Sequence, residues 1–231
     1  MLKHLARRRC LLAVLALAGC AAPLRPVPLP APQTVPAAPG VVYEVTGSDV
    51  TVRLYRDGPL ANLGHNHVVA TTGLAGRFIL REPLASSSFE IELPLASLTV
   101  DEPARRAVAG ADFPGELTAE DREGTRRNML GPALLAAGRF PVIRMESQSI
   151  EGRGDALEVT TRVNIAGAIR VLVVPVELRR GADTLDVSGR FTVTHAELGL
   201  TPFSVAFGAL RVREDMEVEF RLSAHRVIRG T

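Results

Sequence analysis

Strict alternation of apolar and polar residues is the feature that most constrains the fold of this chain. Near the C terminus, Met216–Ala224 carries apolar side chains at every second position, with glutamate, arginine and serine between them. The same period of two occurs in Val50–Tyr55, Phe89–Leu93 and Leu157–Ile165. Because successive side chains of a strand point to opposite faces, these segments predict strands with one buried and one solvated face.

Further segments extend this series of strands. Arg77–Leu80, Val142–Ile150 and Leu185–Val193 are also predicted strands. Ile169–Leu178 is apolar on both faces, which favours a strand covered on both sides, and Pro175 within it predicts a bulge or a strand edge. Eight or more strands in succession predict an all-β domain, either a barrel or a sandwich.

One long connection between strands has a helical pattern. Thr118 followed by Glu120 and Asp121 predicts a helix N-terminus, with the helix running to Leu130. Gly131-Pro132 then predicts a second, shorter helix over Ala133–Ala137. Connections between strands are usually short, so this insertion is expected to close or border one end of a barrel.

The N terminus resembles a bacterial lipoprotein signal. Residues 1–19 have a basic start and a short apolar run, and Leu17-Ala18-Gly19-Cys20 resembles the lipobox, in which cleavage precedes a cysteine that is then lipidated. The alternative is an ordinary secretory peptide, and the export route stays open. Cys10 and Cys20 are the two cysteines of the chain, so the mature domain has no disulfide and no thiol chemistry.

Residues 20–40 are predicted to be a lipidated cysteine followed by an extended, proline-rich tether. The segment after Cys20 contains seven prolines. Acyl chains such as palmitate on Cys20 would hold the protein to a membrane. Resemblance to bacterial lipoproteins at Ala21 implies the outer membrane, with the domain in the periplasm.

The charge of the mature chain is balanced. The full chain has 27 basic and 25 acidic residues, and removing the four basic residues before Cys20 leaves 23 against 25. Such a balance gives no electrostatic basis for binding nucleic acid.

Motifs along residues 41–231 resemble the YceI-like family. They include Ser48-Asp49-Val50, Gly76-Arg77-Phe78, Gly138–Ile143, Asn164–Gly167 and Leu198-Gly199-Leu200, in the order and spacing of that family. The tryptophan often found at its start is absent, and its Arg-Asp-x-His-Leu motif is replaced by Arg126–Leu130. The resemblance implies an antiparallel, up-and-down, lipocalin-like β-barrel of about eight strands.

The resemblance also implies a function. A carrier or sequestering protein is expected, which holds a long polyisoprenoid, including a quinone-like one, in an apolar barrel. The residues expected to contact this ligand lie on strands and on the helical insertion: Val69, Phe78, Phe89, Met129, Leu130 and Leu134. A dimer is left open, and so are a filled core without ligand and a purely structural envelope lipoprotein.

His65 and His67 supply the alternative of a metal-binding module. If Asn66–Thr71 forms a strand, both imidazoles lie on one face, and His195 and Glu197 are candidates for further ligands. The structural alternative is that His65 and His67 donate hydrogen bonds that shape the loop, or line the barrel mouth. The sequence contains no Gly-x-Ser-x-Gly, phosphate-binding loop or His-Glu-x-x-His motif. We therefore expect a binding protein rather than an enzyme.

Overall fold

Long antiparallel strands dominate residues 39–228, the part of the chain that the computed structural model describes. The predicted signal peptide, Cys20 and nearly all of the tether lie outside these residues. Within them, no helix is long and apolar enough to cross a membrane. The elements in chain order are β1 (Val41–Asp57), β2 (His67–Thr71), β3 (Ala75–Leu80), β4 (Ser88–Pro94), β5 (Thr99–Val100), α1 (Pro103–Ala109), α2 (Ala119–Leu130), β6 (Val142–Arg153), β7 (Ala156–Ile165), β8 (Ala168–Arg180), β9 (Thr184–Thr194), α3 (His195–Leu198), β10 (Ser204–Val205) and β11 (Leu210–Arg226).

Eight of these strands close into an antiparallel barrel. Their order around the wall is β1, β3, β4, β6, β7, β8, β9 and β11. The barrel closes because β11 pairs back onto β1, from Arg226 opposite Tyr43 to Arg211 opposite Asp57. The predicted all-β, antiparallel barrel is confirmed.

Two of the barrel strands continue beyond an interruption. β1 pairs with β3 along Val41–Glu44 and with β2 along Val50–Leu54, so β2 and β3 follow one line on the wall. β4 and β5 also follow one line on the wall, because β4 pairs with β3 and β5 pairs with β2. At the break, the hydroxyls of Thr71 and Ser97 share a 2.7 Å hydrogen bond, which joins the two interruptions.

The two ends of the barrel differ. At the lower end, where β1 begins and β11 ends, short connections such as that between β6 and β7 join the strands. The upper end carries α1, α2, α3 and the loop before β2. The barrel is therefore asymmetric, with nearly all of its irregular structure above one opening.

The helical insertion follows the prediction only in its first part. Thr118 caps α2, accepting a hydrogen bond from the backbone N–H of Asp121, whose carboxylate bonds back to Thr118. The second helix over 133–137 was predicted wrongly. The backbone N–H of Leu135 donates instead to Met129 O, and that of Ala136 to Gly131 O, so the chain folds back against the end of α2.

β8 also departs from prediction. Its ladder with β7 runs the whole length of β7, but its ladder with β9 covers only Glu177–Arg180. Pro175 therefore lies at a strand edge, as predicted. The expectation that β8 is covered on both faces is wrong, because Ile169, Val171 and Val173 are 52–61% exposed on its outer face.

Candidate functional site: the barrel interior

Buried apolar side chains form two clusters inside the barrel. The lower cluster comprises Tyr43, Phe78, Ile91, Leu157, Val159, Leu178, Leu185, Val187, Leu222 and Ala224. The upper cluster comprises Val69, Leu95, Leu98, Val100, Leu135, Val163 and Ile165. Members of both clusters line a cavity of about 280 Å³.

The cavity lining is almost entirely hydrocarbon. Its polar side chains are Ser87, Ser88 and Thr161, and no charged residue lines it. The Thr161 hydroxyl donates to the backbone carbonyl of Val159 at 3.2 Å, so its proton is already used. A lining of this kind favours an aliphatic guest and supplies few polar groups to orient one.

The cavity volume sets the size of such a guest. An apolar cavity of roughly 150 Å³ holds one benzene molecule, which has six carbon atoms. By proportion, a cavity of about 280 Å³ holds roughly a dozen carbon atoms, or about two isoprene units. A longer chain needs either a wider barrel or an opening through which the remainder extends.

The helical insertion lies over the upper end, as predicted. Leu135 is buried in the upper cluster, and Met129, Leu130 and Leu134 pack against it half-buried. Arg126 of α2 donates to the backbone carbonyls of Leu98 and Ala96, which ties the helix to the segment just before β5.

The predicted ligand contacts fall into two groups. Phe78 and Phe89 line the cavity, with their ring centroids 6.1 Å apart. Val69, Met129, Leu130 and Leu134 belong to the upper cluster above the cavity and are not part of its lining. The residue that reaches the cavity from the upper connections is Leu198 of α3.

The wall has a seam between β8 and β9. From Ala168 to Val176, the upper part of β8, the two strands share no ladder pairs. On the other sides, β8 has a continuous ladder with β7, and β9 has one with β11. α3 contacts β8, β9 and β11 and covers this region. Since ladder hydrogen bonds hold strands together, the seam is the part of the wall that opens at least cost.

His67 belongs to a buried polar network outside the cavity. Its Nδ1 lies 2.6 Å from the carboxylate of Asp101, whose other oxygen accepts a 2.7 Å bond from Arg106 and a 2.8 Å bond from the backbone N–H of Val68. Arg106 also donates to three backbone carbonyls, those of Asn66, Pro114 and Gly115. The network fixes the start of β2 to α1 and to the loop after it.

The charge state of Asp101 follows from these partners. Burial alone would raise the pKa of this carboxyl, but hydrogen bonds from His67, Val68 and Arg106, together with the positive charge of His67, hold the pKa below its ordinary value of 3.8. Asp101 is therefore an anion across the neutral range, although its side chain is fully buried.

The two histidines do not share a strand face. β2 begins only at His67, because the side chain of Asn66 accepts from Arg56 N and donates to Asp112 O, which holds the preceding loop out of the ladder. His65 is exposed in that loop. Five residues of the strand expected over 66–71 do form β2, but His65 lies outside it, so the expectation of both imidazoles on one strand face is wrong.

The residues considered as further metal ligands have other partners. The imidazole of buried His195 lies 2.9 Å from the carbonyl of Glu214, and Glu197 caps α3 with Thr194. Within the described range 39–228, no three His, Cys, Asp or Glu side chains are placed to hold a metal ion. A metal site at His65 and His67 stays a prediction, and the described residues supply no third ligand for it.

Sequence reasoning missed Asp101, Arg106 and Arg170. Asp101 and Arg106 carry no sequence signal of a buried network, because their partner His67 lies 34 positions before Asp101. Arg170 does carry one: it is the single charged residue in the apolar stretch Ile169–Val176. A cation at an inward position of an apolar strand could have been singled out.

Comparison with known proteins agrees with this architecture. Residues 50–224 match the model of the YceI-like domain. BcnA of Burkholderia cenocepacia is similar in structure, with a TM-score of 0.53 and 15% identity over 76% of this chain and 95% of that one. A polyisoprenoid binding domain of Saccharophagus degradans, implicated in plant cell wall breakdown, has a TM-score of 0.51 and 12% identity over 80% of this chain and 98% of its own. No curated protein sequence matches significantly. Because the matched residues span most of the chain, the protein belongs to the YceI-like family.

Proposed function

We propose that the protein is a lipid-anchored periplasmic carrier that holds an isoprenoid chain, including that of a quinone, in its barrel. The observation that carries this proposal is the cavity, whose walls are hydrocarbon apart from three hydroxyl side chains. Family membership supports it, and so does the description of the Saccharophagus degradans relative as a polyisoprenoid binding domain. No bond is made or broken in this function.

The size of the cavity refines how a long chain is bound. About two isoprene units fill a cavity of about 280 Å³, so the rest of a long isoprenoid lies in a widened barrel or outside it. The seam between β8 and β9 provides the exit, because ladder hydrogen bonds do not cross it above Glu177.

The ligand is tested by extraction. Protein purified without detergent is extracted with organic solvent and analysed by mass spectrometry, and the emptied protein is then offered a labelled isoprenoid. We expect a copurified isoprenoid or saturable uptake of the label. Protein that is repeatedly empty and takes up no label contradicts the proposal.

Neighbouring residues of β8 provide a matched pair of variants for this test. Val174 lines the cavity, whereas Val173 lies on the opposite face and is 61% exposed. Val174→Trp is expected to fill the cavity and abolish uptake, and Val173→Trp to leave it unchanged. Equal uptake by both variants would place the ligand elsewhere.

The anchor is tested separately through Cys20. We expect Cys20→Ala to abolish acylation and to release the protein from the membrane fraction. The control is Cys10→Ala, which keeps the cysteine of the lipobox. Membrane association that is unaffected by Cys20→Ala contradicts the proposed anchoring.

A further inference from the structure

Arg170 is a cation at the edge of the apolar cavity. It pairs across the ladder with Val163, which lines the cavity, so both side chains are on the inner face of the wall. Leu172, Val174 and Val176, the next inward residues along β8, also line it. The hydrocarbon lining contributed by β8 therefore ends at Leu172, and the next inward side chain is the charged Arg170.

The guanidinium of Arg170 lies against α3. A Cβ at Gly199 would collide with its nitrogen atoms, so only a glycine at this position allows so close an approach. The preceding residue, Leu198, lines the cavity. The charge is thus held beside the cavity, between β8 and α3, at the upper part of the seam.

Arg170 has no hydrogen-bond or ion-pair partner among residues 39–228. Its Nε is buried without an acceptor. The carboxylates near α3 are bonded elsewhere: Glu197 to Thr194, Glu214 to Ala196 N, and Asp215 to Arg213. A buried donor without an acceptor is costly, so this N–H is available to an acceptor from outside the described residues.

We propose that Arg170 binds the anionic headgroup of the ligand whose hydrocarbon chain occupies the barrel. This inference rests on the proposed isoprenoid-binding function and specifies its ligand class: an amphiphile with an apolar chain and a phosphate or carboxylate head. A guanidinium matches both heads because it donates parallel hydrogen bonds to two oxygen atoms. The chain fills the cavity, and the head lies at the seam against α3.

The test compares probes that share one chain and differ in the head. Geraniol, geranyl monophosphate and geranic acid each have a chain of about two isoprene units, which suits the cavity. Their affinities are measured by titration calorimetry for the purified protein, for Arg170→Gln and for Arg162→Gln. The control residue Arg162 pairs with Val171 on the outer face of the same ladder and forms an exposed ion pair with Glu146.

We expect the anionic probes to bind more tightly than geraniol to the unmodified protein. Arg170→Gln should lower the affinity for one or both anionic probes roughly ten- to hundredfold, the range expected for loss of a charge-assisted hydrogen-bonded pair. The affinity for geraniol should not change. Arg162→Gln should change none of the three. Which anionic probe loses affinity tells whether the natural head is a phosphate or a carboxylate.

Two results overturn the inference in distinguishable ways. If geraniol binds as tightly as the anions, or if Arg170→Gln leaves all three affinities unchanged, the headgroup site is wrong and the isoprenoid cavity stands. If none of the three probes binds, the proposed function fails and the inference fails with it. Should Arg170→Gln not fold, Arg170→Lys keeps the charge without the planar fork and is expected to lose part of the preference for anions.

Discussion

Arg106 and Arg170 both lie at the upper end of the barrel, but their surroundings differ. Arg106 is 3% exposed, forms an ion pair with Asp101 and donates to three carbonyl oxygens. Arg170 has no such partner, and its Nε is buried without an acceptor. The hydrogen bonds of Arg106 are therefore made within the fold, whereas Arg170 has a donor available to an acceptor outside the described residues.

The comparison teaches how to separate structural from functional polar groups in this barrel. His67, Asp101 and Arg106 are the most conspicuous buried polar cluster, yet their hydrogen bonds are used in holding β2, α1 and the following loop together. A satisfied network rigidifies its surroundings but presents little to a ligand. The unsatisfied group beside the cavity is the better indicator of a binding site.

Replacing each arginine by methionine should give the largest difference between them, measured as the change in the free energy of unfolding. Arg106→Met leaves Asp101 buried without its cation, and we expect it to lower the free energy of unfolding by about 3–5 kcal/mol. Arg170→Met removes a buried donor that has no acceptor, and we expect the free energy of unfolding to stay the same or to rise by up to about 3 kcal/mol. Denaturant unfolding measures both, and equal losses would contradict the comparison.

Acid should weaken the Arg106 network. The pKa of Asp101 in the folded protein lies below its ordinary value of 3.8, so its contribution to stability is present above that value and is lost as the pH falls through the lowered pKa. Other carboxylates titrate in the same range, including Glu219, whose pKa is also lowered.

Comparison with Asp101→Asn therefore isolates the contribution of Asp101. The difference in unfolding free energy between the unmodified protein and this variant should be largest near neutral pH and shrink as the pH falls below about 4. Denaturant titrations at several pH values measure it. A difference that stays constant into the acid range would show that Asp101 is not held as an anion by the network.

Gly199→Ala is expected to have the smallest effect on stability, and it tests the position of the Arg170 guanidinium at the seam. Gly199 has a φ of 68°, so an alanine there is expected to cost about 1–2 kcal/mol from backbone strain alone. Its Cβ would also displace the Arg170 guanidinium, which no partner holds in place. Gly154→Ala is the matched control, with a φ of 64° and no atom within 4 Å of the added Cβ.

The two glycine variants should lose similar stability, within about 1 kcal/mol of each other, but only Gly199→Ala should change ligand preference. The binding of geranyl monophosphate and geranic acid, relative to geraniol, measures this. If Gly199→Ala is much less stable than Gly154→Ala, Arg170 is held in place more firmly than its lack of partners indicates.

Much of the barrel was predictable because its strands obey a local rule. Period-two alternation in Leu157–Ile165 and Met216–Ala224 depends only on which face meets the interior, and both segments lie in barrel strands. The start of α2 was predictable for the same reason, since Thr118 and Asp121 bond within one turn. Phe89, in the alternating segment Phe89–Leu93, and Phe78, in the motif that resembles the YceI-like family, both line the cavity.

The rest depends on contacts between distant parts of the chain. The fold-back at 133–137 is decided by hydrogen bonds to the end of α2 and by the packing of Leu135 in the upper cluster, against a helical propensity that pointed the other way. The exposure of Ile169 depends on whether another element packs against the outer face of β8. No pattern within a single segment contains this information.

The central claim is that the barrel interior binds the hydrocarbon chain, and a single introduced tryptophan tests it most directly. The chain has no tryptophan, so Phe220→Trp places one fluorophore in the cavity wall, and Phe207→Trp places one on a fully exposed loop. We expect geraniol to change the emission of Phe220→Trp saturably and to leave that of Phe207→Trp unchanged. The absence of a saturable change in Phe220→Trp, or an equal change in both variants, would contradict binding inside the barrel.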